Sequence, residues 1–212
     1  MNDKLSTHIG KIEARWQGLE ERVQAKLATF AGADRSTEAR LLSQAAHAST
    51  VAKRVHWLRK AAETATRDVA AVAACRKGCA HCCRITVAVS RAEAQVIAKE
   101  TGRPLNKQAG AYSQDSQNEY VDPKAHLAAV GFGKPCPFLK DETCSIYAFR
   151  PLACRLQVNL DEDDLLCQLV EGHTPSVPYL NLMAHHAAAV VLMGQGQAYD
   201  DIRQWFPEDS TK

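Results

Sequence analysis

The stretch that decides the fold is residues 75–83, CRKGCAHCC, which places four cysteines within nine residues. Three of them, Cys75, Cys79 and Cys82, have the spacing C-x3-C-x2-C. A loop this short can turn its thiolates toward one metal centre, because Gly78 lets the backbone wrap. The two adjacent cysteines at its end should point in different directions and serve two sites or two metal atoms. We therefore expect a metal to organise this part of the chain.

Four more cysteines follow between residues 136 and 167, with gaps of seven, nine and twelve residues. Their spacing alone indicates little, but their number matters: four plus four thiolates would complete two four-cysteine sites or one multinuclear cluster. Cations near a cysteine should help to keep it deprotonated. Basic residues that lie within a few positions of a cysteine include Arg76, Lys77, Arg84, Arg150 and Arg155.

Helical patterns surround the cysteines. Apolar residues recur at steps of three or four over 36–74, which predicts one long helix, and residues 11–30 predict a second that pairs with it. Ser90 followed by Glu93 is a capping box that predicts a helix ending near residue 102, and residues 178–192 predict the last long helix. Residues 103–135, rich in polar residues and glycine, predict a long loop.

Composition limits the fold and the class of protein. The chain has 212 residues, of which 46% are hydrophobic, 24% charged and 6% aromatic, which excludes collagen-like, purely coiled-coil and disordered chains. Few aromatic residues and much alanine favour a mainly α fold. We expect an N-terminal helical pair over 1–74, then a cysteine-rich metal-binding domain over 75–212 with short helices and a C-terminal helix.

Charge and hydropathy restrict location and partners. No apolar run approaches the roughly 18 residues that cross a bilayer, and the first residues show no secretory signal, so we expect a cytoplasmic protein with reduced cysteines. Residues 1–140 hold 22 basic and 13 acidic residues, whereas residues 141–212 hold four and eleven. An anionic partner or attraction between the two halves would explain this asymmetry. No motif typical of nucleic-acid binding accompanies the basic residues.

Histidines and acidic residues provide weaker candidates. His81 lies inside the cysteine loop and could replace a cysteine on zinc, or face solvent. His173, His185 and His186 could approach a site, although adjacent helical residues diverge by about 100 degrees. The acidic run over 161–164 is typical of a solvated surface and less often of a cation site.

Three further motifs follow the cysteine loop: Cys136-Pro-Phe-Leu, Cys144-Ser-Ile-Tyr and Arg150-Pro-Leu-Ala-Cys154-Arg. With them the chain resembles the YkgJ-like cysteine-cluster family, zinc- or iron-chelating domains with a CxxCxxCC motif that include flagellin N-methylase. The resemblance covers residues 75–167, and the first gap here has three residues rather than two. It implies these metal ligands: Cys75, Cys79, Cys82, Cys83, Cys136, Cys144, Cys154 and Cys167.

Three functions are compatible with these observations. The first is a protein that holds an iron–sulfur cluster or zinc in a redox, sensory or structural role. The second is a metal-dependent modifying enzyme related to flagellin lysine N-methylase, with an open metal position beside a pocket lined by Tyr147, Arg150 and His81. The third is a closed structural zinc module whose N-terminal helices recruit a protein partner.

Overall fold

The computed structural model describes residues 2–110, 112–113, 131–170, 173, 175–193 and 197–208. This part of the chain is mainly helical, as predicted. Its helices are α1 (Asn2–Trp16), α2 (Leu19–Ala28), α3 (Ser36–His47), α4 (Val51–Arg67), α5 (Arg91–Thr101), α6 (Leu152–Arg155), α7 (Met183–Met193) and α8 (Ile202–Trp205). Short 3₁₀ turns cover Asp68–Ala71, His81–Arg84, Tyr147–Phe149 and Leu165–Cys167.

The N-terminal segment contains four helices, so the prediction of two long ones is wrong. Gly18, with φ 63°, is left-handed and separates α1 from α2. Ala48 is extended and ends the regular turns of α3, and the Thr50 side chain then accepts the N–H of Lys53 to begin α4. Helices α3 and α4 pack directly on each other. A packed helical pair therefore occurs within residues 36–67, where one long helix was predicted.

In the described part of the chain, five short strands form two small sheets. Strands β1 (Ala88–Ser90) and β2 (Tyr112–Ser113) flank β5 (Ala198–Asp201) in an antiparallel sheet. Strands β3 (Leu139–Lys140) and β4 (Thr143–Cys144) form a hairpin in which Leu139 is opposite Cys144. This hairpin is what positions Cys144.

Two predicted helices are present with altered limits. Helix α5 begins at the predicted capping box and ends at Gly102, which has φ 68°. The last long helix begins at Met183 rather than residue 178, because residues near Tyr179 extend alongside Asn159. The predicted loop over 103–135 is irregular from 104 to 110, and its stretch at 114–130 lies outside the described residues.

The main hydrophobic core joins the N-terminal helices to the cysteine-bearing segment. Its buried residues from α3 and α4 are Ala45, Val55, Leu58 and Ala62. They meet residues that follow the cysteine loop: Ala92, Leu152, Leu156, Leu182, Ala189 and Met193. The core thus crosses residue 74, and the division into two domains stays a prediction. Among the described helices, none combines the length and the apolar character that a membrane span requires.

Candidate metal centre

The cysteine loop consists of two consecutive tight turns. The N–H of Cys79 donates to the carbonyl of Arg76 at 3.0 Å, and the N–H of Cys83 donates to the carbonyl of Ala80, also at 3.0 Å. Gly78 has φ 87°, a left-handed conformation that favours glycine, so the chain reverses just before Cys79. The loop therefore brings its cysteines close together without a regular helix.

Backbone hydrogen bonds place the later cysteines beside this loop. The N–H of Cys136 donates to the carbonyl of Cys83 at 2.7 Å. The β3–β4 hairpin follows and carries Cys144 back beside Leu139. Helix α6 starts after Pro151, a residue suited to a helix start, and carries Cys154.

A first cysteine group consists of Cys75, Cys79 and Cys167. The backbone N–H of Asn159 donates to Sγ of Cys75 at 3.4 Å, and its side-chain Nδ2 donates to Sγ of Cys167 at 3.2 Å. Burial raises the pKa of Cys167 to about 12, and the neighbouring thiols of Cys75 and Cys79 contribute to the rise. These thiols are therefore close enough in space to influence one another.

A second cysteine group consists of Cys136, Cys144 and Cys154. Burial raises the pKa of Cys154 well above its ordinary value, and the thiols of Cys82, Cys136 and Cys144 raise it further. Burial likewise raises the pKa of Cys136 to about 11. Three thiols from three separate elements thus share one small volume.

Cys82 lies between the two groups. Its thiol hydrogen-bonds with that of Cys83, and this contact together with burial raises the pKa of Cys82. The Cys82 thiol also contributes to the raised pKa of Cys79 in the first group and of Cys144 in the second. The structure therefore brings the predicted cysteines into one region with two adjoining groups.

A mixed donor set borders the first group. One ligand atom each from Cys79, His81 and Asp164 lies within 4.8 Å of the others. Nε2 of His81 is 3.1 Å from Oδ2 of Asp164, and these side chains are 31% and 29% exposed. Sulfur, imidazole nitrogen and carboxylate oxygen together suit zinc or iron. The donor chemistry of this region fits the metals that the cysteines predict.

Of the five predicted cations, Arg150 faces both cysteine groups. Its positive charge opposes the rise in pKa that burial causes at Cys75 and Cys144. Its guanidinium lies 4.2 Å from the ring centroid of Tyr147, which is 62% exposed. Arg155 is buried and donates to the carbonyls of Arg150 and Ala148. Arg150 therefore favours the thiolate state in which sulfur binds metal.

The other candidate residues are engaged elsewhere. His173 stacks on Trp16 with ring centroids 6.2 Å apart, and Nε2 of His185 is 3.2 Å from Oε1 of Glu38. The acidic run forms ion pairs with the N-terminal helices, including Arg15 with Asp161 at 3.3 Å. The first three residues of the run therefore serve as internal partners for basic residues, whereas Asp164 belongs to the mixed donor set.

Sequence reasoning missed Asn159 and the role of Asp164 beside His81. The contact between Asn159 and Cys75 joins residues 84 positions apart, and an asparagine in a polar stretch carries no pattern that predicts it. Asp164 was visible only as one acidic residue in a run. A cysteine shortly after that run, Cys167, was the available signal that the run lies near the site.

Comparison with known proteins agrees with this geometry. Residues 74–171 match the model of the CxxCxxCC family, described as a putative zinc- or iron-chelating domain. The matched segment contains every cysteine of the chain. No curated protein and no solved structure matches the chain. This match confirms the resemblance to the CxxCxxCC family that was predicted from the cysteine motifs.

Proposed function

We propose that this chain binds zinc or an iron–sulfur cluster through its eight cysteines, arranged as two adjoining groups. The observation that carries the proposal is the contact of Asn159 with two sulfurs, those of Cys75 and Cys167, which come from opposite ends of the cysteine-bearing segment. In a reducing compartment, where disulfides do not form, bringing free thiols together adds little to the stability of the fold. The same arrangement supplies the sulfur ligands that a metal site requires.

Each group offers four sulfur ligands. In the first group they are Cys75, Cys79, Cys82 and Cys167. In the second group they are Cys83, Cys136, Cys144 and Cys154. We assign Cys83 to the second group because its carbonyl accepts the N–H of Cys136. Cys82 influences thiols of both groups, and we assign it to the first group as the fourth sulfur ligand there.

The residues around the sulfurs prepare them for metal. A thiol must lose its proton to become a ligand, and Arg150 and the N–H donors of Asn159 stabilise the resulting negative charge. Zinc held by four thiolates supplies structural stability, whereas an iron–sulfur cluster supplies electron transfer or redox sensing. Free thiols in both groups suit a reducing compartment, so we place the protein in the cytoplasm.

A modifying enzyme is the second candidate, and the mixed donor set favours it. A metal bound by Cys79, His81 and Asp164 would face solvent, because the latter two side chains are partly exposed. Catalytic zinc sites keep such an open position.

The pocket predicted for this enzyme would be lined by Tyr147, Arg150 and His81. Two cavities in the described part of the chain are lined by other residues and include none of these three. Azide added to cobalt-substituted protein tests this candidate, since only an open site would change its absorption spectrum.

The packing of the N-terminal helices is relevant to the third function, a structural zinc module that recruits a protein partner. Residues Val23, Leu27 and Phe30 of α2 and the turn that follows it pack against Val69, Val158 and Leu160. These three N-terminal residues therefore cover part of the chain next to the cysteines. Recruitment of a protein partner by the N-terminal helices stays a prediction, tested by gel filtration and crosslinking of the metal-loaded protein.

Metal and acid-labile sulfide content of protein purified without oxygen tests the main proposal. Brown protein with matching amounts of iron and sulfide would establish an iron–sulfur cluster. Colourless protein with about two zinc ions per chain would establish two zinc sites. Protein free of both metals, and unable to take them up, would contradict the proposal.

Substitution of a ligand tests the residues. We expect Cys79→Ser and Cys82→Ser to lose bound metal and soluble expression, because an alcohol is a poor ligand for these metals. Lys77→Ser changes an exposed residue of the same loop and should retain both. An inert buried thiol would tolerate the change at a cost of about 1 kcal/mol. Full metal retention in both cysteine variants would overturn the ligand assignment.

A further inference from the structure

We infer that Asn159 is the positioning residue of the first cysteine group, holding the sulfurs of Cys75 and Cys167 through two N–H···S hydrogen bonds. The inference rests on the proposed function, because it concerns how thiolates are presented to a metal. It assigns a role to a residue that donates no ligand atom itself. The two sulfurs accept from different amide groups of the same residue.

The side chain of Asn159 has only one orientation that satisfies its surroundings. Its Oδ1 accepts the N–H of Asp161 at 2.8 Å. Its Nδ2 donates to the carbonyl of Asp163 at 3.1 Å and to Sγ of Cys167 at 3.2 Å. The amide therefore has its oxygen on the side of a backbone donor and its nitrogen on the side of the sulfur. Because Asn159 is only 1% exposed, water is a poor substitute for these partners.

Backbone hydrogen bonds hold Asn159 beside Ala74 and Cys75. Its carbonyl accepts the N–H of Ala74 at 2.9 Å, the residue just before Cys75, while its N–H donates to Sγ of Cys75 at 3.4 Å. An antiparallel bridge to Tyr179 holds this backbone in place, with Leu160 donating to Pro178 and Leu180 donating to Val158. The two donors to sulfur are therefore part of a frame held by backbone hydrogen bonds.

This frame has a chemical consequence for a bound metal. An N–H donor withdraws electron density from a thiolate and stabilises its negative charge. Removing such a donor makes the sulfur more electron-rich, which moves the thiolate-to-metal charge-transfer absorption to longer wavelength. It also lowers affinity, and loss of a partner that orients a ligand typically costs about 10- to 100-fold in metal binding. If Asn159 only filled space, replacing it with a side chain of the same shape would leave the absorption spectrum of the bound metal unchanged.

Asn159→Asp is the direct test, since the carboxylate has the same shape but no N–H. With Co²⁺ as the probe, we expect the charge-transfer band to move to longer wavelength and Co²⁺ affinity to fall by about 10- to 100-fold. Asn181→Asp is the matched control: Asn181 is exposed and accepts the N–H of Met183 through Oδ1, which aspartate can also do. An unchanged spectrum and affinity in Asn159→Asp would overturn the inference.

A second measurement needs no variant and remains informative if Asn159→Asp fails to fold. In the unsubstituted protein loaded with ¹¹³Cd, N–H···S bonds transmit scalar coupling from the metal to the amide groups. We expect coupling to the backbone and side-chain amides of Asn159. Cadmium that binds with coupling to neither amide would overturn the inference alone. Failure of the unsubstituted protein to bind cobalt or cadmium would overturn the proposed function, and the inference with it.

Discussion

At the residue scale, one buried carboxylate links a helix cap to the helix that carries Cys154. Glu93 is 4% exposed, and its Oε2 accepts the backbone N–H of Ser90 at 3.4 Å to complete the capping box of α5. Its Oε1 accepts the N–H of Leu152 at 2.8 Å, at the start of the helix that carries Cys154. Burial raises the pKa of Glu93, and these hydrogen bonds oppose the rise. The same side chain therefore caps α5 and positions α6.

Removal of this carboxylate should destabilise the fold. We expect Glu93→Ala to lower the free energy of unfolding by about 2 to 3 kcal/mol, because the buried N–H groups of Leu152 and Ser90 both lose their acceptor. Urea denaturation measures the change. Glu100→Ala, an exposed position on the same helix, should remain within about 0.5 kcal/mol of the parent. Equal effects of the two substitutions would show that the contacts of Glu93 contribute little.

At the scale of elements, the sequence predicts what is encoded locally. Helix α5 was predictable because Ser90, Glu93 and Gly102 lie within its own span and fix both ends. The break between α3 and α4 was missed because alanines continue the apolar spacing through residues 45, 48 and 52. The capping role of Thr50 competes with that spacing and prevails.

The candidate site shows the same division between local and distant information. Cysteine identity and the loop over 75–83 could be predicted because sulfur chemistry and short spacing are visible in one dimension. The sequence left open whether the cysteines form two sites or one cluster. It could not show which cysteines come together, since that depends on the β3–β4 hairpin and on Asn159 contacting two sulfurs. Such contacts arise from packing between distant segments, which a single sequence does not reveal.

Helices α3 and α7 meet at a buried histidine that should make stability depend on pH. His185 lies near Glu38, Arg35 and His186, and burial lowers its pKa below the ordinary 6.5, although Glu38 opposes the change. Below pH 6.5 the unfolded chain therefore binds this proton more readily than the folded chain does, so acidification favours unfolding.

Urea denaturation between pH 7.5 and about 5.5 checks this sign. We expect the free energy of unfolding to decrease as the pH is lowered. The decrease should be less steep in His185→Gln, which cannot take up a proton. His47→Gln, at an exposed position, should keep the slope of the parent protein. A slope in His185→Gln equal to that of the parent would show that other groups cause the dependence.

At the scale of the whole molecule, the uneven charge of the chain has an internal use. Arg15 of α1 lies 2.7 Å from Asp163 and 3.3 Å from Asp161, whose side chain is fully buried. Lys26 of α2 donates to the carbonyl of Asp161 at 2.6 Å, and Arg22 lies 3.6 Å from Glu162. Of the two explanations for the asymmetry, these contacts support attraction between the halves. The N-terminal helices are thereby attached to the segment that contains Asn159 and Cys167.

Loss of Arg15 should therefore weaken the junction between the helices and the metal-binding segment. We expect Arg15→Met to lower the free energy of unfolding by roughly 2 to 3 kcal/mol, because the carboxylate of Asp161 stays buried without its cation. Arg40→Met, at an exposed position of α3, should change it by less than about 0.5 kcal/mol. Adding Asp161→Asn to Arg15→Met removes the uncompensated charge and should restore part of the loss. If the double variant is no more stable than Arg15→Met, the buried charge is not what couples the two halves of the molecule.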